Sequence, residues 1–344
     1  MSMQSAPVLP FASPADVPAH VDDELLAATL RAAWPTGTQQ TTLSVAGLSF
    51  PLLSLGSGDV DVLCVHGLGH DCADFAPLFA RRPDGVRLHA LDLPGFGVAD
   101  KGPARVDLPL LADALDTAIA HLGRSVSLIA SSLGGHVALL SLLRGSEASH
   151  VSVSQRNIAR AAVRALVLAA PGGLATATAG QAALARAYYG EEAISARSED
   201  ELLRNSHRIF VKGIGDADSR RIAARKLAIH RSPSRRAFAR PFASVVDSVF
   251  DHPLADRFAS LDLPVLLVRG SHDVVVERAP LVVAAARAPR AELVELTGIG
   301  HLPMVEDADR FARLAFDFVT AAADPADAHR ASFSARGARE ETTP

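Results

Sequence analysis

Six residues near the middle of the chain carry its strongest structural signal: Ala130-Ser131-Ser132-Leu133-Gly134-Gly135. An apolar run, Val126 to Ile129, precedes them, and a helix-like run, His136 to Leu143, follows. This order predicts a strand, a sharp turn and a helix, with a serine at the apex of the turn. A turn of this kind lifts the apical hydroxyl out of the sheet.

The turn needs small residues two positions before and two positions after its apex, because the backbone passes close to itself there. Ala130 and Gly134 meet this need around Ser132, which is the candidate nucleophile. Ser131 is expected to face the wrong way for attack and to hydrogen-bond locally. The helix that starts at Leu133 directs its first N–H groups at an anion beside the serine, so the Leu133 amide is a candidate oxyanion donor.

A second turn offers another donor. The apolar strand Asp61 to Val65 runs into His66-Gly67-Leu68-Gly69-His70. Backbone amides beside a nucleophile stabilise the charge that develops on a carbonyl oxygen during attack. We expect the amide of Leu68 to be the second oxyanion donor.

Two strands near the C-terminus lead to the residue types that a serine nucleophile requires. The strand ending at Arg269 is followed by His272 and Asp273, and the strand ending at Leu296 is followed by His301. A serine hydroxyl attacks when an imidazole removes its proton, and a carboxylate holds that imidazole in its tautomer and stabilises its cation. His301 is the candidate base, because it alone follows the last predicted strand, and Asp273 is the candidate acid.

The chain resembles the α/β-hydrolase superfamily in the order serine, acid, histidine and in two further segments, Asp92-Leu93-Pro94-Gly95-Phe96-Gly97 and Gly300-His301-Leu302-Pro303-Met304-Val305-Glu306-Asp307. The resemblance runs from about Leu43 to Thr320 and excludes a less familiar middle. It departs from the family pattern at Ala130-Ser131, where members often have Gly-His. Alanine is small enough for the turn, so the fold assignment stands.

The resemblance implies an α/β fold with a mostly parallel, doubly wound sheet and an inserted helical cap. It also implies a Ser132 nucleophile, an Asp273 acid, a His301 base and an oxyanion hole from the Leu68 and Leu133 amides. An enzyme of this kind needs neither a cofactor nor a metal, and we expect none here.

Composition is consistent with one enzyme domain and excludes other classes. The chain has 344 residues, is 49% hydrophobic and 21% charged, and carries a formal net charge of -4. This balance lacks the basic footprint of a nucleic-acid binder. No apolar run approaches the ~20 residues of a membrane span, and no signal peptide is evident, so a cytoplasmic enzyme with a small-molecule substrate is expected. The oligomeric state is left open.

Cysteine and carboxylate spacing indicate neither a disulfide framework nor a metal site. The two cysteines are Cys64, in a predicted strand, and Cys72, in a loop. The carboxylates of Asp71, Asp74 and Asp92 lie near the same edge, but their spacing matches no metal motif. Asp92 is expected to serve the turn before Pro94-Gly95.

The predicted organisation follows the changes in hydrophobic pattern. Strands alternate with helical patterns, which predicts an active site at the strand C-termini. The predicted parts are an N-terminal extension (1–40) with a surface helix over Asp22 to Ala33, a hydrolase core (41–173 and 257–322), a helical cap (174–256) and a disordered tail (323–344). The predicted strands are Thr41–Val45, Leu48–Leu55, Val60–Val65, Arg87–Leu91, Val126–Ala130, Ala165–Ala169, Val265–Arg269 and Leu293–Leu296.

The predicted cap contains helical stretches at Gln181–Tyr188, Glu199–Val211 and Ser219–Ile229. The basic run from Arg220 to Arg240 is interpreted as a solvated helix face rather than an anion site. Packing of the cap on the core is the favoured role for most of its apolar residues, with an acyl pocket as the alternative. These residues are Leu202, Leu203, Ile209, Phe210, Phe238, Phe242, Val245 and Val249.

The remaining histidines near the site have structural interpretations. His136 is expected to pack at the start of the helix after Ser132, and His272 to be an exposed neighbour of the acid. His70 lies close enough to the oxyanion turn for substrate contact to stay open.

The sequence therefore favours a serine hydrolase that cleaves a carboxylic ester with an apolar acyl part through an acyl-enzyme. The capping-box residues Ser198 and Glu201 lie in a stretch with a faint similarity to monoacylglycerol-lipase-like caps. Two alternatives stay open: a carbon–carbon bond hydrolase of ring-cleavage products, and a ligand receptor on a hydrolase fold. Epoxide hydrolases and haloalkane dehalogenases are disfavoured, because they carry aspartate where this chain has Ser132.

Overall fold

The computed structural model describes residues 11–32, 34–102, 105–145 and 149–323. The predicted disordered tail lies outside these residues except for Ala323, as do the first ten residues of the predicted N-terminal extension.

The described residues form an eight-stranded sheet that matches all eight predicted strands to within two residues. Its order is β1-β2-β4-β3-β5-β6-β7-β8, with β2 antiparallel to both neighbours and the later strands parallel. Because parallel strands end together, the residues after β5, β7 and β8 reach one edge. The strands are β1 Gln39–Val45, β2 Leu48–Leu55, β3 Val60–Val65, β4 Val86–Leu91, β5 Val126–Ser131, β6 Val163–Ala169, β7 Val265–Gly270 and β8 Ala291–Leu296.

Helices cover both faces of this sheet. Leu63 and Val65 of β3 face one core, whereas Val62 and Cys64 face the other, as alternation along a strand requires. Helices α3, α4, α5 and α11 pack on the first face, and α2, α12 and α13 on the second. The helices outside the insertion are α1 Asp23–Arg31, α2 Ala76–Ala80, α3 Leu108–Leu122, α4 Leu133–Leu143, α5 Val153–Ala162, α11 Arg278–Arg287, α12 Pro303–Glu306 and α13 Ala308–Ala323.

The insertion between β6 and β7 is helical, as the sequence predicts. Its helices are α6 Ala179–Tyr188, α7 Glu191–Ala196, α8 Glu199–Arg208, α9 Ala217–His230 and α10 Arg235–Val249. Capping boxes start α6, α8 and α9. The sequence analysis missed α7 and α10, and it placed the end of α8 three residues too late.

The N-terminal extension is more than a surface helix. Asp22 caps α1 by accepting a hydrogen bond from the Leu25 amide. Leu26 and Leu30 of this helix are buried in a cluster with Leu227 of α9. The extension therefore packs against the insertion through one face of α1, while the other face of this surface helix is exposed.

Candidate active site

Ser132 stands at a strained turn between β5 and α4. Its φ of 51° and ψ of −115° are unusual for a residue with a side chain. The Ser132 amide donates to the Ala169 carbonyl at 2.9 Å, which holds the turn at the end of β6. A Cβ on Gly134 would lie 2.2 Å from the Val65 carbonyl oxygen, so only glycine fits two residues after the apex.

Ser131 is fully buried, which agrees with its predicted inability to attack. In the described part of the chain its hydroxyl has no hydrogen-bond partner, so the expected local hydrogen bond is wrong. Ser132 is less buried than Ser131 and is the serine that a ligand can approach.

Asp273 and His301 lie together at the same edge, after β7 and β8. His301 Nδ1 is 2.9 Å from Asp273 Oδ2, while Asp273 Oδ1 accepts from the amides of Val275 at 2.7 Å and Val276 at 3.0 Å. Burial alone raises the pKa of Asp273, but the bonds from His301 and the two amides outweigh it, so this pKa lies below its ordinary value. Asp273 is therefore ionised and fixed in direction.

The loops of the acid and the histidine approach each other closely because both contain glycine. A Cβ on Gly270 would lie 2.1 Å from the Gly300 carbonyl oxygen. Glu306 accepts hydrogen bonds from the Gly300 amide at 3.1 Å, and the His301 amide donates to the Ile209 carbonyl of the insertion at 2.9 Å. Within the described chain, His301 is hydrogen-bonded to Asp273 but not to the Ser132 hydroxyl; such bonds often tighten only when substrate binds.

A helix N-terminus positions the Leu133 amide, and a hydrogen-bonded turn positions the Leu68 amide. Leu133 is the first residue of α4, so its N–H has no acceptor within the helix. The Gly67 carbonyl accepts from His66 Nδ1 at 2.8 Å and from the His70 amide at 3.3 Å. Because the peptide is trans, the Leu68 N–H points away from these bonds.

His66 has a defined tautomer in this arrangement. Its Nε2 accepts a hydrogen bond from the Leu93 amide at 2.9 Å, so the proton must be on Nδ1, which faces the Gly67 carbonyl. Sequence reasoning assigned His66 only to a His-Gly turn. In the structure, the His66 side chain orients the Gly67–Leu68 peptide through the Gly67 carbonyl.

Three predicted structural roles agree with the contacts. Asp92 accepts from the Cys72 and Val98 amides at 2.8 and 2.7 Å and so closes the turn. His136 is buried, and its Nε2 lies 2.7 Å from the His252 carbonyl oxygen. His272 is exposed.

An ionic cluster beside the oxyanion turn was missed. Arg225 of α9 is buried and paired with Asp71, and the next residue, Lys226, lies 3.1 Å from His70 Nε2. His70 Nδ1 in turn lies 2.8 Å from Asp74 Oδ2. The interpretation of the basic run as a solvated face is therefore wrong at Arg225, because pairings across the cap–core boundary have no sequence signal.

Phe242 is the insertion aromatic that meets the oxyanion turn. A Cβ on Gly69 would lie 2.6 Å from the Phe242 ring, and the Tyr189 ring centroid is 5.5 Å from that of Phe242. Phe238 instead packs against the cluster that joins α1 to α9, and Lys101 Nζ lies 4.3 Å from its ring centroid. Packing on the core is thus the role of Phe210 and most other apolar candidates, as predicted.

The described residues offer neither a metal site nor a membrane-spanning helix. Among those residues, no group of three or more His, Cys, Asp or Glu side chains is arranged to hold a metal ion. Across the same ranges, no helix combines the length and the apolar character that crossing a membrane requires.

The chain is similar to known hydrolases along most of its length. It is 26% identical over 269 residues to a pimeloyl-(acyl-carrier protein) methyl ester esterase of Xanthomonas campestris pv. campestris (strain B100), covering 78% of this chain and 97% of that protein. An esterase from Exiguobacterium antarcticum superposes with a TM-score of 0.68 at 18% identity, covering 82% of this chain and 100% of that one. A thermophilic esterase from Thermogutta terrifontis gives 0.66 at 19% identity, covering 83% and 99%.

A family model also matches most of the chain. It is described as the alpha/beta hydrolase family and matches residues 62–314, from β3 into α13. This span includes the serine turn, both C-terminal loops and the whole insertion. The chain belongs to the alpha/beta hydrolase family.

Proposed function

We propose that the protein is a serine hydrolase that cleaves a carboxylic ester with an apolar acyl part. The observation that carries the proposal is the strained backbone of Ser132, placed on the sheet edge to which the Asp273–His301 pair also belongs. Strain of this kind persists where the surroundings over-determine it, and it is typical of a nucleophile turn.

The proposed mechanism has two halves. The Ser132 hydroxyl attacks the ester carbonyl carbon while His301 Nε2 removes its proton, and the resulting oxyanion accepts hydrogen bonds from the Leu68 and Leu133 amides. His301 then gives that proton to the leaving alcohol as the ester C–O bond breaks. Water attacks the acyl-enzyme with His301 again as base, and the carboxylic acid leaves as Ser132 regains its proton.

The Asp273 carboxylate supports this role of His301 by geometry and charge. Its contact with Nδ1 keeps that nitrogen protonated, which leaves Nε2 as the acceptor that a general base needs. Its lowered pKa keeps it ionised, so it stabilises the imidazolium that forms during each proton transfer.

The apolar acyl part is proposed from Phe242 and Leu68. Both are partly buried hydrophobic residues packed against the core beside the oxyanion turn, where the acyl chain must start. The Xanthomonas relative and the two superposed proteins are all esterases, which supports ester chemistry over the carbon–carbon alternative.

The experiment is labelling with a fluorophosphonate probe, read by intact mass, together with turnover of p-nitrophenyl esters from acetate to laurate. Ser132→Ala should lose both, while the adjacent Ser131→Ala should retain substantial labelling and turnover. Labelling that persists in Ser132→Ala would overturn the nucleophile. Labelling without ester turnover, beside rapid cleavage of a dienone-type diketone acid, would favour the carbon–carbon hydrolase; binding without turnover of either substrate would favour the receptor.

A further inference from the structure

Lys226 of α9 is half-buried beside His70. In the described part of the chain it forms no ion pair, and its polar contact is to His70 Nε2 at 3.1 Å. Its neighbour Arg225 differs, since that guanidinium is paired with Asp71. An ammonium has three N–H donors, so two of those on Lys226 have no protein acceptor here.

The protonation of His70 determines which group donates in its contact with Lys226. Burial lowers the pKa of His70, so the imidazole is neutral at pH 7. Its Nδ1 faces Asp74 Oδ2 and carries the proton, which leaves Nε2 to accept from the Lys226 ammonium. The carboxylates of Asp74 and Asp71 lie near enough to raise the pKa of Lys226 against its desolvation, but neither is within ion-pair distance of its ammonium.

Burying an ammonium with unused donors is unfavourable unless something else accepts from it. Lys226 and His70 both retain some accessible surface, whereas Arg225 is only 6% exposed. Surrounding protein nevertheless lowers the pKa of Lys226 by desolvation. Lys226 of the insertion and His70 of the core are therefore crowded by protein but still accessible where they meet.

The contact between Lys226 and His70 lies at the turn that carries the proposed Leu68 oxyanion donor. The His70 amide donates to the Gly67 carbonyl at 3.3 Å, so Gly67 and His70 are the two ends of one turn. A Cβ on Gly67 would lie 3.3 Å from the Ser132 Cβ. The Gly67–His70 turn thus has Ser132 at one end and Lys226 at the other.

We propose that Lys226, oriented by His70, forms a subsite for a carboxylate on the substrate, so that the preferred esters are monoesters of dicarboxylic acids. A carboxylate accepts well from the two N–H donors and forms the close ion pair that Lys226 lacks among the described residues. The inference rests on the proposed ester hydrolysis and names its substrate class.

The test compares matched esters that differ only in a terminal carboxylate. Mono-p-nitrophenyl succinate, glutarate, adipate and pimelate are paired with p-nitrophenyl esters of the linear monocarboxylic acids of equal carbon number. In the wild type, at least one acidic ester should have a kcat/KM about 10- to 100-fold above its neutral partner, as expected for hydrogen bonds to a charged group. Lys226→Met should remove this preference mainly through KM, and Lys226→Arg should retain part of it.

The matched control is Lys212→Met, since Lys212 is an exposed lysine of the same insertion. It should keep the preference for acidic esters. A wild type that prefers neutral esters at every length, or a Lys226→Met variant that loses both series equally, would overturn the subsite.

A measurement without turnover separates this inference from the ester proposal. Adipate should raise the melting temperature of the wild type and of Lys212→Met, but not of Lys226→Met. Adipate binding that depends on Lys226 supports the subsite even if no ester is cleaved. Ester turnover without any Lys226-dependent binding or preference refutes the subsite alone.

Discussion

His136 ties the stability of the elbow helix α4 to pH. Burial lowers its pKa from 6.5 to about 4, while the bond from Nε2 to the His252 carbonyl oxygen opposes this shift only in part. Between these two pH values the unfolded chain binds a proton that the folded protein excludes. Stability is therefore complete above pH 6.5 and is lost as the pH falls towards 4.

The size of this effect follows from the two pKa values. Each pH unit between them costs about 1.4 kcal/mol, so His136 removes about 2 kcal/mol of unfolding free energy between pH 7 and pH 5. The loss reaches about 3 kcal/mol at pH 4. His136 lies in α4, the helix that follows the Ser132 turn, and the Gly173 backbone packs directly against its ring. Protonation of His136 therefore disturbs the helix that supports this turn.

The assay is urea unfolding followed by circular dichroism at pH 7, 6 and 5. His136→Gln keeps a donor for the His252 carbonyl but cannot titrate, so its stability should fall by about 2 kcal/mol less than that of the wild type over this range. His272→Gln removes an exposed histidine and should keep the wild-type slope. Equal losses in wild type and His136→Gln would refute the reasoning.

Two further outcomes concern catalysis. Asp273→Asn should lower kcat on p-nitrophenyl esters roughly a thousandfold or more, because His301 loses its fixed tautomer; an unchanged kcat in steady-state assays would contradict the acid. Phe242→Ala should move the chain-length optimum of the ester series towards longer acyl groups, at up to ~0.8 kcal/mol per added buried methylene, whereas Phe238→Ala should leave it in place. The same shift from both variants would contradict the placement of the pocket.

The strands were predictable because their pattern is local. Parallel strands covered on both faces read as continuous apolar runs, and turn residues punctuate them. In β6 the predicted start is two residues late because a charged residue interrupts the apolar run: the strand starts at Val163, and the exposed Arg164 follows it. In β8, Glu292 has the same effect.

Helix α10 could not be predicted from local preference. Pro241 lies inside it and removes a backbone donor, at a cost of about 3 kcal/mol in a helix interior. Packing supplies the compensation, since Pro241 covers Gly95 closely and Val245 and Val246 are buried on the same helix. Both contacts are made to residues that are distant in sequence, and a local pattern carries no trace of them.

The candidate site likewise has residues that a local pattern reveals and pairings that it does not. Ser132, Asp273 and His301 follow strands or sharp turns, so their types and order are legible in the sequence. Arg225 and Asp71 are 154 residues apart, and their pairing exists only once α9 is folded over the oxyanion turn. The sequence shows that α9 is basic, but it does not show which of its basic side chains face the core.

The insertion is therefore part of the site's construction as well as its cover. Its Ile209 carbonyl holds the His301 backbone, its Phe242 ring covers Gly69 of the oxyanion turn, and its Lys226 ammonium contacts His70 at the end of that turn. These contacts reach the proposed base and the proposed oxyanion loop separately. Substitutions in the insertion should consequently alter catalysis as well as substrate choice, because the geometry of the reacting groups depends on a segment that contributes no residue to the proposed triad.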